Sequence, residues 1–249
     1  MNLQQGFAVG LLSLDFFGTM LVWLDASDTN TLKQNSNGTT AVSSASDPIG
    51  YWGDKSGNGY NVVQATSGNR ASYSTTNGAN VYFNGITNNL VRLQAPNSIF
   101  TGLGSLTTFT VYYEDATDAN FGHVWIIGNY IRIRCRNDRG YNDNNNGNLN
   151  ATSGLGSATL NKKIVTTVRQ NDGTNLNTFI YVNGVQTATH TITLAAARAT
   201  TAGNFTIGNA NYNDEACQGG IYEFGALTTA LSASQVALAT DSLRRKWSV

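Results

Sequence analysis

Charge is scarce in this chain of 249 residues: only 12% of residues are charged, fifteen Lys and Arg balance fifteen Asp and Glu, and the pI lies near 6.7. With no net field to draw in nucleic acid or an anionic membrane, neither is expected as a partner. Cysteine occurs twice, too seldom for a disulfide-dense scaffold or a four-ligand zinc site, so both are read as ordinary thiols. Histidine also occurs twice. A Ser–His–Asp or Cys–His apparatus needs a histidine base, and His123 and His190 each begin or end a predicted strand without a nucleophile motif beside them. Long apolar runs are missing too. The opening segment MNLQQGFAVGLLSLDFFGTMLVWLDA is interrupted by Asp15, and no Lys or Arg precedes Lys33, which argues against a membrane span and a signal peptide. An extracellular role would then require another route, such as release from a lysed cell inside a particle.

What is present is β-rich. Hydrophobic residues make up 41% and aromatic residues 10%, in short runs punctuated by Asn, Gly and Asp at the spacing of a sandwich. In HVWIIGNYIRIRCR (123–136) two apolar runs flank Gly128-Asn129, and in TFIYVNGVQTATHT (178–191) they flank Asn183-Gly184. Both pairs tolerate the positive φ of a primed hairpin turn. Further strands are expected at Val81–Phe83, Thr107–Tyr113, Lys163–Gln170, Phe205–Gly208 and Gly220–Ala226. The terminal LSASQVALATDSLRRKW predicts a helix capped by Ser232 with Gln235 reaching back. Its Val236, Ala239, Leu243 and Trp247 share a face, and Arg244, Arg245 and Lys246 complement the dipole of the last turn.

Taken in order, LVWLDASDTNTL (21–32), WGDKSGNGYNVVQ (52–64), VYFNGITNNLV (81–91), FIYVNGVQ (179–186), FTIGNANYN (205–213) and GGIYEFGALTTALSASQV resemble the concanavalin A-like lectin and glucanase superfamily. The form they resemble is the laminin-G-like one found in bacterial and especially phage particle proteins. The resemblance implies an all-β fold: a two-sheet antiparallel jelly-roll sandwich with a short C-terminal helix. DKSGNG (54–59) would be a tight loop, since it lacks the terminal GK[ST] of a phosphate loop. The scaffold hosts lectins, hydrolases, adhesion modules and virion proteins alike, so function has to come from sites.

Glycanases of this superfamily carry two glutamates on alternate positions of one strand, aimed at the scissile bond. Here the glutamates are Glu114, Glu215 and Glu223; none has an acid two residues away, and of the three Glu114 alone has one four away, Asp118, with no second glutamate on either spacing. No catalytic residue is assigned on that ground. Calcium would need clustered loop oxygens; Asp138, Asp143, Asp214 and Glu215 are the candidates, but Asn and Asp also serve turns, so no metal and no cofactor is claimed. Strand alternation sends Ile131, Ile133 and Cys135 to one face and Arg132, Arg134 and Arg136 to the other, about 7 Å apart. That row would grip carboxylates or phosphates, from an acidic glycan or a partner subunit; the other reading is a solvated face paired with neighbouring acids. Tyr51, Tyr60, Tyr141 and Tyr212 in Asn- and Gly-rich loops suit a lectin rim, whereas Trp52 is expected in the core.

Residues 1–20 form an N-terminal arm and residues 21–249 the lectin-like domain. Phe7, Leu11, Leu14 and Phe17 share a helical face, while Phe7, Val9 and Leu11 alternate as in a strand. Such side chains must be buried. The arm could pad its own sandwich or dock on a particle or sister subunit; docking is the reading adopted, because the sandwich resembles a unit complete from Leu21. The expected protein is a non-enzymatic virion structural or attachment protein, in capsid decoration or tail. Its expected partners are other virion proteins, sister subunits in a homo-oligomer, and host surface polysaccharide. The alternatives are a free carbohydrate-binding lectin and a glycan-active hydrolase.

Overall fold

Alternation of apolar and polar residues with turns every few residues folds into two stacked antiparallel sheets. The computed structural model describes residues 14–85, 90–95, 97–100, 104–115, 123–127, 131–134, 141–142, 161–194, 205–209 and 217–249. In chain order the strands are β1 (Met20–Asp25), β2 (Leu32–Lys33), β3 (Pro48–Ile49), β4 (Tyr51–Trp52), β5 (Val62–Val63), β6 (Ala71–Ser74), β7 (Asn80–Asn84), β8 (Leu93–Ala95) and β9 (Leu106–Glu114). There follow β10 (His123–Ile127), β11 (Ile131–Arg134), β12 (Tyr141–Asn142), β13 (Lys163–Asn171), β14 (Asn175–Val182), β15 (Val185–Thr193), β16 (Phe205–Ile207) and β17 (Gln218–Leu227), then helix α1 (Ala233–Trp247). The larger sheet runs β15-β14-β13-β9-β17-β7-β6-β3, with β1 beside the second half of β17; the smaller runs β12-β11-β10-β16-β8-β5-β4-β2.

The core lies between the sheets, where Trp52, Phe83, Trp125, Phe205 and Phe224 are almost wholly buried. Trp125 keeps its indole N–H satisfied by donating to Thr110 Oγ1 across the gap at 2.8 Å. A second apolar layer covers the outer face of the larger sheet. Val236, Ala239, Leu243 and Trp247 of α1 pack there on Phe109, Val111, Ile164 and Leu227. Ser232 closes the predicted capping box: its hydroxyl accepts from Gln235 N, and its own N–H donates to Gln235 Oε1.

Leu14 and Phe17, in a 3-10 turn spanning Leu14–Phe17, are buried in this same outer layer. Docking on a partner is therefore corrected for these two side chains: they fill the groove between their own sheet and helix, and the domain starts at least seven residues before Leu21. Phe7 and Leu11 lie outside the described residues.

The two hairpins differ. Asn183 (φ 49°) and Gly184 (φ 80°) form the expected type I′ turn, with Val182 and Val185 paired. The turn is also tied down, since Asn183 exchanges hydrogen bonds with the backbone of Ile164 and its carbonyl accepts from Arg244 of α1. Gly184→Val is expected to destabilise by about 1–3 kcal/mol, because a β-branched residue resists positive φ and would crowd Thr240, 3.3 Å from the added Cβ; urea unfolding measures it. In the other hairpin Ile127 pairs with Ile131. Three residues therefore separate the strands instead of the two-residue turn expected, and residues 128–130 lie outside those described.

Candidate functional site

The acids that the sequence leaves isolated are placed in two buried charge clusters. Glu114 at the end of β9 is 1% exposed and accepts from Lys163 Nζ of β13 at 3.1 Å, a pair enclosed on all sides. Glu223 on β17 is 2% exposed. A register shift between Ile221 and Glu223 turns its side chain to the outer face, under α1. There Oε1 accepts from Trp23 Nε1 at 2.7 Å, and Oε2 accepts from Lys246 Nζ at 2.7 Å and from Trp247 Nε1.

The strand register sets Asp25 of β1 opposite Glu223, so an acid remote in sequence supplies the neighbour that the strand itself lacks. Lys246 Nζ sits between the two carboxylates, 2.9 Å from Asp25, and Lys55 Nζ reaches Asp25 and Asp28 at 3.1 Å. Burial pushes the Glu223 carboxyl above its ordinary 4.5, against the pull of Lys246. Burial also opposes ionisation of Asp25, but hydrogen bonds from Ser27 and the charges of Lys246 and Lys55 outweigh it and hold that carboxyl below 3.8. A water or a glycosidic oxygen would have to displace an ammonium to reach both acids. As placed, the cluster fastens α1 and the 54–59 loop to the sheet.

DKSGNG is a turn, with Gly57 and Gly59 at positive φ, and it covers the free edge of β1. Trp23 N donates to Asp54 Oδ1, Lys55 N donates to Trp23 O, and Asn58 Nδ2 donates to the carbonyls of Met20 and Leu21. Lys55 lies 4.8 Å above the Trp23 ring, so the loop also closes over the charge cluster.

The arginine row is met in part. Arg132 is half-buried in β11, opposite Ile126 of β10 and Asn142 of β12, while its neighbour Ile133 faces the core. Directly opposite residues share a face, so Arg132, Ile126 and Thr206 form one row on the side of the smaller sheet away from the core, in which Ile126 and Thr206 are buried and Arg132 is half-buried. Arg134 pairs with His123 and Tyr141 with Ile133, each described by its backbone alone. Arg136, Tyr212 and Cys135 lie outside the described residues, as do Asp138, Asp143, Asp214 and Glu215. Among the described residues no group of three or more His, Cys, Asp or Glu is placed to hold a metal. Tyr51 and Tyr60 are half-buried and Trp52 is wholly buried. His123 is also buried.

One cleft escaped the sequence reading. Asn77, Asn161, Lys162, Ser248 and Val249 enclose about 530 Å³ beside the end of α1. Lys162 crosses it to donate to Trp247 O at 2.7 Å, 5.0 Å above the Tyr222 ring, and burial lowers its pKa below 10.5. The signal in the sequence is the Asn77-Gly78 pair, a turn former, and both residues take positive φ, 58° and 103°.

A two-sheet antiparallel jelly roll with its apolar core between the sheets defines a lectin-like domain. The chain belongs to a laminin-G family described as the Concanavalin A-like lectin/glucanases superfamily, which it matches over residues 94–237. No curated protein matches it. Among solved structures it resembles the Trypanosoma rangeli sialidase at 11% identity and a TM-score of 0.54, over 92% of this chain and 33% of that one. It also resembles an arabinofuranosidase complexed with arabinofuranosyl-alpha-1,2-xylobiose, at 13% identity and a TM-score of 0.55, over 91% and 59%. A third likeness is to the receptor binding domain of botulinum neurotoxin D, at 14% and 0.55, over 90% and 53%. At such identities the likeness is one of fold, and the chain spans one third to three fifths of these proteins. Among the described residues no helix is long and apolar enough to cross a membrane.

Proposed function

We propose that this domain is a non-enzymatic, lectin-like binding module of a virion structural or attachment protein, engaging an acidic glycan or a partner subunit through the face that carries Arg132. The observation that carries binding over cleavage is the engagement of Glu114 and Glu223 by lysines inside closed clusters. A retaining or inverting hydrolase needs two carboxyl groups open to the scissile bond. The reading of a virion protein, in capsid decoration or tail, is supported by the resemblance of the segments between residues 21 and 247, in their order, to the laminin-G-like form found in phage particle proteins.

The test is titration of the 249-residue chain with a panel of neutral and uronic-acid-containing bacterial surface polysaccharides, with reducing ends assayed in the same samples. Binding without release of reducing ends is the expected result, and release would overturn the proposal. Arg132→Ala is expected to weaken binding about tenfold, as loss of one charge-assisted contact does, while the domain still unfolds cooperatively. Undiminished affinity would remove the arginine face from the proposal. Antibody labelling of purified particles by electron microscopy tests the virion placement.

A further inference from the structure

The cleft beside the end of α1 lies apart from the face that carries Arg132: it opens on the outer layer of the larger sheet, whereas Arg132 stands on the smaller one. Its walls come from the Asn77-Gly78 turn between β6 and β7, from Asn161 and Lys162 ahead of β13, and from Ser248 and Val249 behind α1. Each wall is pinned. Asn80 Nδ2 donates to the carbonyls of Thr76 and Gly78, Lys162 Nζ to Trp247 O, and Val249 N to Arg244 O, past the αL residue Ser248. The opening is thus set before anything enters it.

Among the described residues Lys162 is the one cation lining the cleft, and it makes no ion pair there. Burial alone acts on its pKa, with no carboxylate pulling the other way. It touches one carbonyl, at 2.7 Å, and the face of Tyr222, so the ammonium has N–H donors to spare. Tyr222 beneath it is wholly buried, and its hydroxyl has no hydrogen-bond partner. The hydroxyl end of that ring comes up beside Gly78: a Cβ there would lie 3.9 Å from Tyr222 Cε1 and 3.8 Å from Lys162 Nζ. A buried hydroxyl left without a bond is costly until an incoming group supplies one. The side chains of Asn161 and Ser248 are exposed on the walls and bond to no other described residue.

We infer that this cleft is a binding site for a uronic acid, a pyranose bearing one carboxylate, with the carboxylate on Lys162 and the ring hydroxyls on the side chains of Asn77, Asn161 and Ser248. A single point charge matches a monoanion. A phosphate dianion calls for a second cation or a guanidinium fork, and among the described residues the lining has neither. Nor does any Asp or Glu line it, which disfavours a cationic ligand. The groups around the charge are amides, which donate and accept at once, and a hydroxyl; they suit neighbouring sugar hydroxyls and would be wasted on an apolar acid. A volume of about 530 Å³ is that of a small-molecule site and admits a sugar ring.

Titration of the 249-residue chain with methyl β-D-glucuronide, followed by amide NMR, is expected to shift the signals of Asn77, Gly78, Lys162 and Ser248, with Kd on the order of 1 mM. The neutral methyl β-D-glucoside, acetate and inorganic phosphate should each bind at least about tenfold more weakly. Lys162→Met should weaken the glucuronide by at least about tenfold. That variant also loses the bond to Trp247 O, so Asn161→Asp supplies a second: the residue is exposed, the fold is kept, and a carboxylate on the wall should repel the ligand to a similar extent. Glucuronide held no more tightly than the glucoside, acetate or phosphate, affinity indifferent to Asn161→Asp, or no shifts in the cleft up to about 20 mM would overturn the inference. Shifts confined to the surroundings of Arg132 would overturn it as well, while leaving the proposed binding face of the smaller sheet intact.

Discussion

Lys246→Met is expected to destabilise the domain by about 3–5 kcal/mol near pH 8, and clearly less near pH 5. Among the described residues the lysine is the one ammonium that touches both Asp25 and Glu223. Asp25 keeps Lys55 and Ser27 when it is gone. Glu223 keeps only two indole N–H donors, and a carboxylate buried to 2% with no counter-charge must either stay ionised at great cost or take up a proton. The sign of the pH dependence follows. Burial already lifts this carboxyl above 4.5, and removing Lys246 lifts it further. A carboxyl raised in the folded state contributes stability that is fully present below its unfolded value and lost as pH rises through its folded value. The variant's deficit should therefore open as pH rises through the wild-type folded value, which itself lies above 4.5. Thermal melts of both proteins from pH 5 to pH 8 measure it, and a deficit that shrank with rising pH would show that Glu223 is not the group left exposed to the loss.

Gly208→Ala should be comparably severe, about 3–5 kcal/mol, from two causes that can be separated. The residue follows β16 at φ 91°, which costs any side chain strain, and a Cβ there would overlap Cδ1 and Cε1 of Phe83. That ring is fully buried between the sheets and has nowhere to go. Gly57 has nearly the same φ, 89°, but open space around it. Gly57→Ala should then show the backbone strain alone, about 1 kcal/mol, and the difference between the two urea midpoints reports the collision.

Local chemistry made much of the fold legible. Asn183-Gly184 announces its turn because few other pairs accept positive φ twice in succession, and Ser232 with Gln235 announces the helix start. Strands of two residues such as Pro48–Ile49 or Val62–Val63 are too short to show a period and emerge only through the strands they pair with. The burial of Leu14 and Phe17 was hidden for a related reason: an apolar arm must be covered, but its pattern does not say by what.

The charge clusters were the least legible. Strand alternation correctly left Glu223 without an acid on its own strand, yet the acid opposite came from β1 through a register that no local pattern encodes. The bulge at Ile221/Glu223 further altered which face the side chain takes. Arg132 was easier to place, because alternation within IRIR needs only the strand itself.

The covering of β1 by residues 54–59 has a meaning in time as well as in space. Trp23 and its acceptor Glu223 stand two hundred residues apart, so at about 5–20 residues per second β1 leaves the ribosome roughly 10–40 s before the strand it pairs with. Throughout that wait its apolar face and half of its main-chain groups have no sheet to join. The Asp54–Asn58 stretch follows within seconds and offers the main-chain bonds of β1 a companion. A clasp that looks redundant in the finished molecule thus shields β1 of the nascent chain from its neighbours on the polysome.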